Sequence, residues 1–190
     1  MNTAISKKQS EELNLATQLL DALGHRHVAV MPDDRPDVLA CIDGSRIGIE
    51  VTQFHADEQQ GAKGSPLRAT EEGLAKQSAG GSYLVWGVLN PNPALVARIT
   101  DKIKTAAAYN SSRYSELWLL VAAGVPKLGA VGATLALPSF INVQDLNLTT
   151  HELLCDSSFS AVYLHALLPP AIYCWSRHKK WHTISLNSLV

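Results

Sequence analysis

The sequence predicts one α/β domain with a mixed central sheet, helices on its faces and a C-terminal β-hairpin. Segments whose apolar residues recur at helical spacing alternate along the chain with short apolar segments typical of strands. An Asp-Gly pair at residues 43–44 joins two of these strand segments, which is the strongest short-range signal of a hairpin. At 190 residues the chain is long enough to bury a substantial core, so we expect a single domain over residues 1–190.

The composition is that of an ordinary globular protein, with 46% hydrophobic residues, 17% charged residues and a net charge of −1. This balance argues against a strongly basic nucleic-acid binder, although net charge does not say where charges cluster. The cysteines, Cys41, Cys155 and Cys174, are odd in number and lack CxxC spacing, so reduced thiols and a cytoplasmic location are expected. The sequence contains neither an export signal nor an apolar stretch of ~18 residues, so no membrane span is expected.

The first element is an amphipathic helix over residues 10–23, ended by Gly24 as a C′ residue. The helix has an apolar stripe on one face, and Glu12 lies on the same face one turn before the stripe begins. That stripe consists of Ala16, Leu19, Leu20 and Leu23. A short strand at residues 27–31 and a loop at 32–36 follow.

The hairpin after this loop carries two acids in otherwise apolar strands. If Asp43 and Gly44 form a two-residue loop, Ile42 faces Ser45, and Asp37 then faces Glu50 directly. The sequence leaves a second register open, in which the loop is shifted by one residue.

In that second register Asp37 faces Thr52, and Glu50 becomes its diagonal neighbour. Either register brings the two carboxylates together, because opposed Cβ atoms in a hairpin are roughly 5 Å apart. Two facing negative charges destabilise a hairpin, and a divalent cation is the simplest compensation.

The remaining elements follow the same reasoning. A helix at about residues 66–77 precedes a strand at 83–89, and Asn92-Pro93 opens a helix that runs to about Tyr109. Residues 116–123 form a continuous apolar run, the pattern of a strand covered on both faces. No assignment is made for residues 124–150. The last predicted strands are residues 159–166 and a hairpin of 172–176 with 181–186 around the basic turn 177–180.

Taken in order, these features resemble one nuclease family. The features are Glu12 on the first helix, Pro36-Asp37, Glu50-Val51-Thr52 in the hairpin, a helix bearing Lys102, Lys104 and Tyr109, and an apolar central strand. This order resembles the PD-(D/E)XK nuclease superfamily, with its restriction-endonuclease-like fold. The likeness covers about residues 10–123 and leaves 124–190 as C-terminal strands and loops.

The resemblance implies Mg²⁺-assisted, or Mn²⁺-assisted, hydrolysis of DNA phosphodiesters. It makes Asp37 and Glu50 metal ligands on adjacent strands and Glu12 a supporting ligand. Carboxylates suit this assignment, because Mg²⁺ takes hard oxygen ligands and stabilises charge on a transferring phosphoryl group.

The chain departs from the family pattern at one position, where Thr52 stands in place of the motif lysine. A threonine hydroxyl cannot neutralise a phosphate as a cation. Lys102 is the candidate substitute because it flanks the apolar face of its helix, whereas Lys104 lies about 200° further round and should face solvent. The candidate catalytic set is therefore Asp37, Glu50, Lys102 and Thr52.

Other interpretations stay open from the sequence. A nuclease fold that has lost catalysis, as Thr52 favours, would serve as a nucleic-acid-binding or assembly subunit. In an unrelated interaction module, by contrast, Asp37 would cap a loop and Glu50 would lie on a solvated sheet face. A homodimer or a protein partner is equally compatible.

Two further motifs have competing explanations. His151-Glu152-Leu153-Leu154-Cys155 is similar to a degraded HExxH zinc motif but lacks a third ligand, so a short helix beginning at Thr149 or Thr150 is preferred. The stretch 175–182 mixes bases with aromatics, as nucleic-acid contacts can, although a hairpin turn is usually just polar.

Overall fold

A computed structural model describes residues 5–54, 92–123, 141–167 and 170–184. The helix expected at 66–77 and the strand expected at 83–89 lie outside the described residues. The elements are α1 (Lys7–Ala22), β1 (Ala29–Pro32), β2 (Val38–Ile42), β3 (Ser45–Phe54), α2 (Asn92–Ala106), a 3-10 turn (Ser111–Arg113), β4 (Glu116–Ala123), α3 (Val143–Cys155), β5 (Ala161–Leu167), β6 (Pro170–Ser176) and β7 (Lys179–Ile184).

The seven described strands form one sheet in which they lie in chain order, from β1 to β7. Strands β1, β2 and β3 are antiparallel, β3, β4 and β5 are parallel, and β5, β6 and β7 are antiparallel. A parallel pair needs a crossover connection, and helices α2 and α3 lie in the two crossovers. The prediction of a mixed α/β sheet with a C-terminal hairpin is confirmed at this level.

Strand β4 forms the centre of two hydrophobic layers. Leu119 and its alternate neighbours pack with residues of α2 and α3, whereas Leu120 and its alternate neighbours pack with residues of α1. Every residue from 117 to 122 is buried. The continuous apolar run of this strand is therefore explained by helices covering both faces of the sheet.

The β2–β3 hairpin has the first of the two registers considered above. Ile42 pairs with Ser45, and the ladder continues to the pair of Val38 and Ile49. Asp43 and Gly44 have positive φ angles of 49° and 80°, as a type I′ turn requires at both central positions.

Helix α1 begins three residues earlier than the periodicity predicts. The Ser6 side chain accepts a hydrogen bond from the backbone N–H of Gln9, and the Gln9 side chain accepts one from the backbone N–H of Ser6. This reciprocal capping box satisfies two N–H groups that would otherwise lack partners, so the helix extends back to Lys7.

Helix α3 begins at Val143, so the expected start at Thr149 or Thr150 was wrong. The Asn142 side chain caps the helix by accepting from the N–H groups of Gln144 and Asp145. Thr150 lies inside the helix, where its hydroxyl donates to the Leu146 carbonyl. The Thr-Glu spacing resembled the start of a helix, but the N-cap of this helix is Asn142, about two turns upstream.

The tryptophans of the C-terminal hairpin are buried, which overturns the suggestion that aromatics and bases of this stretch form one nucleic-acid surface. The indole N–H of Trp175 donates to Nδ1 of His151, and that of Trp181 donates to Oγ1 of Thr150. Within residues 175–182, only the turn side chains at 177–180 are exposed. In the part of the chain that the structure describes, no helix is long and apolar enough to cross a membrane.

Candidate functional site

Asp37 and Glu50 are both buried, with 9% and 3% of their surfaces exposed. Glu50 stands between Ile49 and Val51, which pack against the α1 layer, so strand alternation turns its side chain towards the α2 layer. Asp37 lies one residue before β2, at the end of the ladder. There its Oδ2 accepts a hydrogen bond of 2.9 Å from the N–H of Val51.

The two carboxylates interact electrostatically. Burial, and after it the negative charge of Glu50, raise the pKa of Asp37 to about 6. The N–H of Val51 and the ammonium of Lys102 oppose this rise. The Asp37 carboxylate therefore binds a backbone N–H of β3, across the hairpin from its own loop. The alternative that Glu50 lies on a solvated sheet face does not hold.

Helix α2 brings Lys102 to this pair. The Nζ atom of Lys102 lies 2.6 Å from Oε1 of Glu50, and only 23% of the lysine side chain is exposed. Lys104 points away, with 73% of its side chain exposed and an ion pair to Asp101. The difference in orientation between the two lysines follows from helical spacing, as expected.

Helix α1 contributes Glu12 together with a lysine that the sequence reasoning missed. Nζ of Lys8 lies 2.9 Å from Oε1 of the buried Glu12 and 3.7 Å from Oδ1 of Asp37. The hydrogen bond to Glu12, with the charges of Asp37, Glu12 and Glu50, raises the pKa of Lys8 against its burial. The i,i+4 spacing of Lys8 and Glu12 was the available signal.

Two tyrosines border the Glu50 carboxylate. Burial first, and then the hydrogen bond and the charge of Glu50, raise the pKa of Tyr109, which follows the end of α2. Burial and the same charge raise the pKa of Tyr114. Both phenols therefore remain protonated at neutral pH and can donate hydrogen bonds.

Thr52 is buried two residues beyond Glu50, on the same strand face. It supplies no positive charge, so Lys102 is the ammonium paired with Glu50 among the described residues. The nearby Gly48 is required by packing, because a Cβ atom there would lie 2.7 Å from Cγ of Pro36. Pro36 thus packs over β3 and fixes the position of the adjacent Asp37.

The described residues contain no group of three or more His, Cys, Asp or Glu side chains already arranged to hold a metal ion. The carboxylates instead face lysines. One acceptor is left over, however: Oε2 of Glu50 is buried and has no hydrogen bond of standard geometry to any described residue. An unpartnered buried carboxylate oxygen beside a second carboxylate is a fitting ligand for a hard cation.

The other metal motif has a structural role in the described part of the chain. Sγ of Cys155 lies 3.8 Å from Nε2 of His151, while Nδ1 of His151 accepts the indole N–H of Trp175. The residues that the structure describes add no third ligand, so zinc coordination is not supported.

The geometry thus joins residues from α1, the β2–β3 hairpin and α2 in one polar cluster around the buried carboxylates of Glu12, Asp37 and Glu50. Its members are Lys8, Glu12, Asp37, Glu50, Thr52, Lys102 and Tyr109.

Comparison of the chain with protein-family models, with curated proteins and with solved structures finds no match.

Proposed function

We propose that this chain is a metal-dependent, nuclease-like protein with a restriction-endonuclease-like sheet, acting on the phosphodiesters of DNA with Mg²⁺ or Mn²⁺. The observation that carries the proposal is the grouping of the buried Asp37 and Glu50 carboxylates with Lys102, in which Oε2 of Glu50 has no hydrogen bond of standard geometry to a described residue. Acids at the end of one hairpin strand and within the next are what the family resemblance implies.

Each residue has a separate role in this proposal. Asp37 and Glu50 would hold the ion, and Glu12 would support it through Lys8 and Asp37. The ion would stabilise negative charge on the phosphoryl group during hydrolysis. Lys102 would supply the positive charge that Thr52 cannot, since its ammonium already lies within hydrogen-bonding distance of Glu50.

A specific observation also favours a second candidate, a nuclease fold without catalysis that binds nucleic acid or assembles with a partner. Lys8 and Lys102 already neutralise much of the charge on the three carboxylates. A cluster whose negative charges are compensated by its own lysines can be stable without a metal ion. Thr52 also stands in place of the motif lysine, which favours a loss of catalysis. In this candidate the ion pairs maintain the fold of the site and do not take part in a reaction.

The experiment compares wild type with Glu50→Gln and with Glu11→Gln, a matched control on the exposed side of α1. Cleavage of single-stranded DNA, duplex DNA and RNA is measured with Mg²⁺ or Mn²⁺, and Mn²⁺-dependent thermal stabilisation is measured in parallel. We expect Glu50→Gln to reduce cleavage by about 100-fold or more and to abolish the stabilisation by Mn²⁺. Glu11→Gln should behave as wild type.

An identical Mn²⁺ response in Glu50→Gln and wild type would contradict the assignment of Glu50 as a ligand. Thr52→Lys separates the two candidates, because it restores an ammonium on the strand face that carries Glu50. A wild type without cleavage whose Thr52→Lys variant cleaves indicates a nuclease that has lost only this lysine. Inactivity of both proteins favours the subunit that binds or assembles.

A further inference from the structure

The ion pairs between the described residues of the site leave one charge unbalanced. The carboxylates of Glu12, Asp37 and Glu50 contribute three negative charges when ionised, and the ammonium groups of Lys8 and Lys102 contribute two positive charges. One net negative charge remains. Because Glu50, Asp37 and Glu12 are buried, this charge is not fully screened by solvent and must be balanced to be held at low cost.

Neither of the two ligands of the proposed reaction balances this charge alone. A divalent cation turns the net charge from one negative to one positive, and a single phosphodiester turns it to two negative. The two together make it zero. A site of this composition should therefore favour the pair of ligands over either one.

Lys102 is the group through which such a preference would act. Its ammonium lies 2.6 Å from Oε1 of Glu50, beside Oε2, which has no hydrogen bond of standard geometry to a described residue and which a metal ion would use. A positive charge held at that distance opposes the entry of a second cation. Lys8 cannot serve equally well, because 78% of its side chain is exposed and it can turn into solvent.

The lysine side chain is suited to changing partners. An ammonium group has three donors on a flexible four-carbon stem, so it can move from a carboxylate to a phosphate oxygen nearby. A phosphate that attracts Lys102 would release Oε1 of Glu50 for the metal ion. The ion would in turn repel the ammonium towards the phosphate.

We infer that Lys102 is a movable counter-ion that couples metal binding to phosphodiester binding, so that each ligand tightens the other. This inference rests on the proposed function, since it requires a divalent cation at Asp37 and Glu50. It adds that the metal site is weak in the free protein and is completed when an anionic backbone arrives. Thermodynamic linkage makes the effect reciprocal, so it can be measured from either ligand.

The test measures the affinity for a fluorescent single-stranded oligonucleotide by anisotropy, with and without Mn²⁺. A phosphorothioate oligonucleotide keeps one negative charge per linkage and resists hydrolysis, and a methylphosphonate oligonucleotide of the same sequence is uncharged. For wild type we expect Mn²⁺ to tighten binding of the charged probe by at least about 5-fold. Binding of the uncharged probe should not be tightened.

Lys102→Met should reduce this tightening well below that of Lys104→Met, the matched control, because Lys104 faces solvent on the same helix. Both variants experience the same screening of the oligonucleotide by Mn²⁺, so their difference isolates Lys102. Tightening in Lys102→Met that equals that in Lys104→Met overturns the inference. Should that variant fail to fold, an equal effect of Mn²⁺ on the two probes in wild type overturns it instead.

Failure of the proposed function has a different signature. In that case Mn²⁺ stabilises Glu50→Gln as much as wild type, or stabilises neither protein with or without the oligonucleotide. If the stabilisation depends on Glu50 but the charged probe does not increase it, the metal site stands and the coupling is rejected.

Discussion

Replacing Asp37 by Asn should stabilise the protein at neutral pH, although Asp37 belongs to the candidate site. The pKa of Asp37 is raised from 3.8 to about 6 by its burial and by the charge of Glu50. Asparagine has nearly the same shape and removes the buried charge. Its side-chain oxygen can still accept the hydrogen bond from the N–H of Val51.

The magnitude follows from the difference between the two pKa values. Between 3.8 and about 6 this difference is about 2.2, and at about 1.36 kcal/mol per pKa unit it corresponds to a ceiling of about 3 kcal/mol. Because the folded-state pKa is raised, the folded protein binds the proton more tightly. The favourable contribution of Asp37 is therefore complete below about pH 3.8 and lost as the pH rises through about 6.

The assay is urea unfolding of wild type and Asp37→Asn from about pH 4 to about pH 8, the range that contains this transition. The variant should have nearly the stability of wild type at the acidic end and an advantage of up to about 3 kcal/mol at the basic end. Asp34→Asn is the control, because 96% of the Asp34 side chain is exposed in the same loop. A difference between Asp37→Asn and wild type that does not change with pH would refute the reasoning.

Two other predictions concern packing around the site and the C-terminal hairpin. Gly48→Ala should cost about 1–3 kcal/mol in urea unfolding, because the new Cβ would lie 2.7 Å from Cγ of Pro36. Gly44→Ala is the control, because an added Cβ there would have no atom within 4 Å, although its φ is +80°. It should cost about 1 kcal/mol and leave the response to Mn²⁺ unchanged. An altered Mn²⁺ response in Gly44→Ala would contradict the assignment of the metal site to residues away from this turn. Trp181→Phe should cost about 1–2 kcal/mol through the lost hydrogen bond to Thr150. Strict additivity with Thr150→Val would show that this bond contributes nothing.

Local signals in the sequence were sufficient to predict the existence of the hairpin and of β4, whereas the structure decided between the two hairpin registers that the sequence left open. The Asp43-Gly44 pair meets the requirement of a type I′ turn for two positive φ angles, which sets the register and therefore the position of Asp37 beside the strand of Glu50. Helical spacing alone distinguished Lys102 from Lys104. These features depend on residues close in sequence or on a single regular element.

Features that depend on contacts between distant elements were not predictable in the same way. Lys8 matters because α1 brings it to Asp37, a contact between residues far apart in the chain. Trp175 and Trp181 are buried because α3 covers them with His151 and Thr150. The sequence placed the start of that helix too late, at Thr149 or Thr150 instead of Val143. Whether such a stretch is buried depends on the helices that pack against it, which local sequence signals do not reveal.

The chain-order arrangement of the sheet has a consequence for folding kinetics. Strands β1, β2 and β3 pair with their immediate neighbours in sequence, so this meander can form through short loop closures. The contact of Glu50 with Lys102 joins residues 52 positions apart and needs the crossover to dock first. We expect the meander to form early in refolding and the ion pair late. The meander would then form before the charged cluster around Glu50 is assembled.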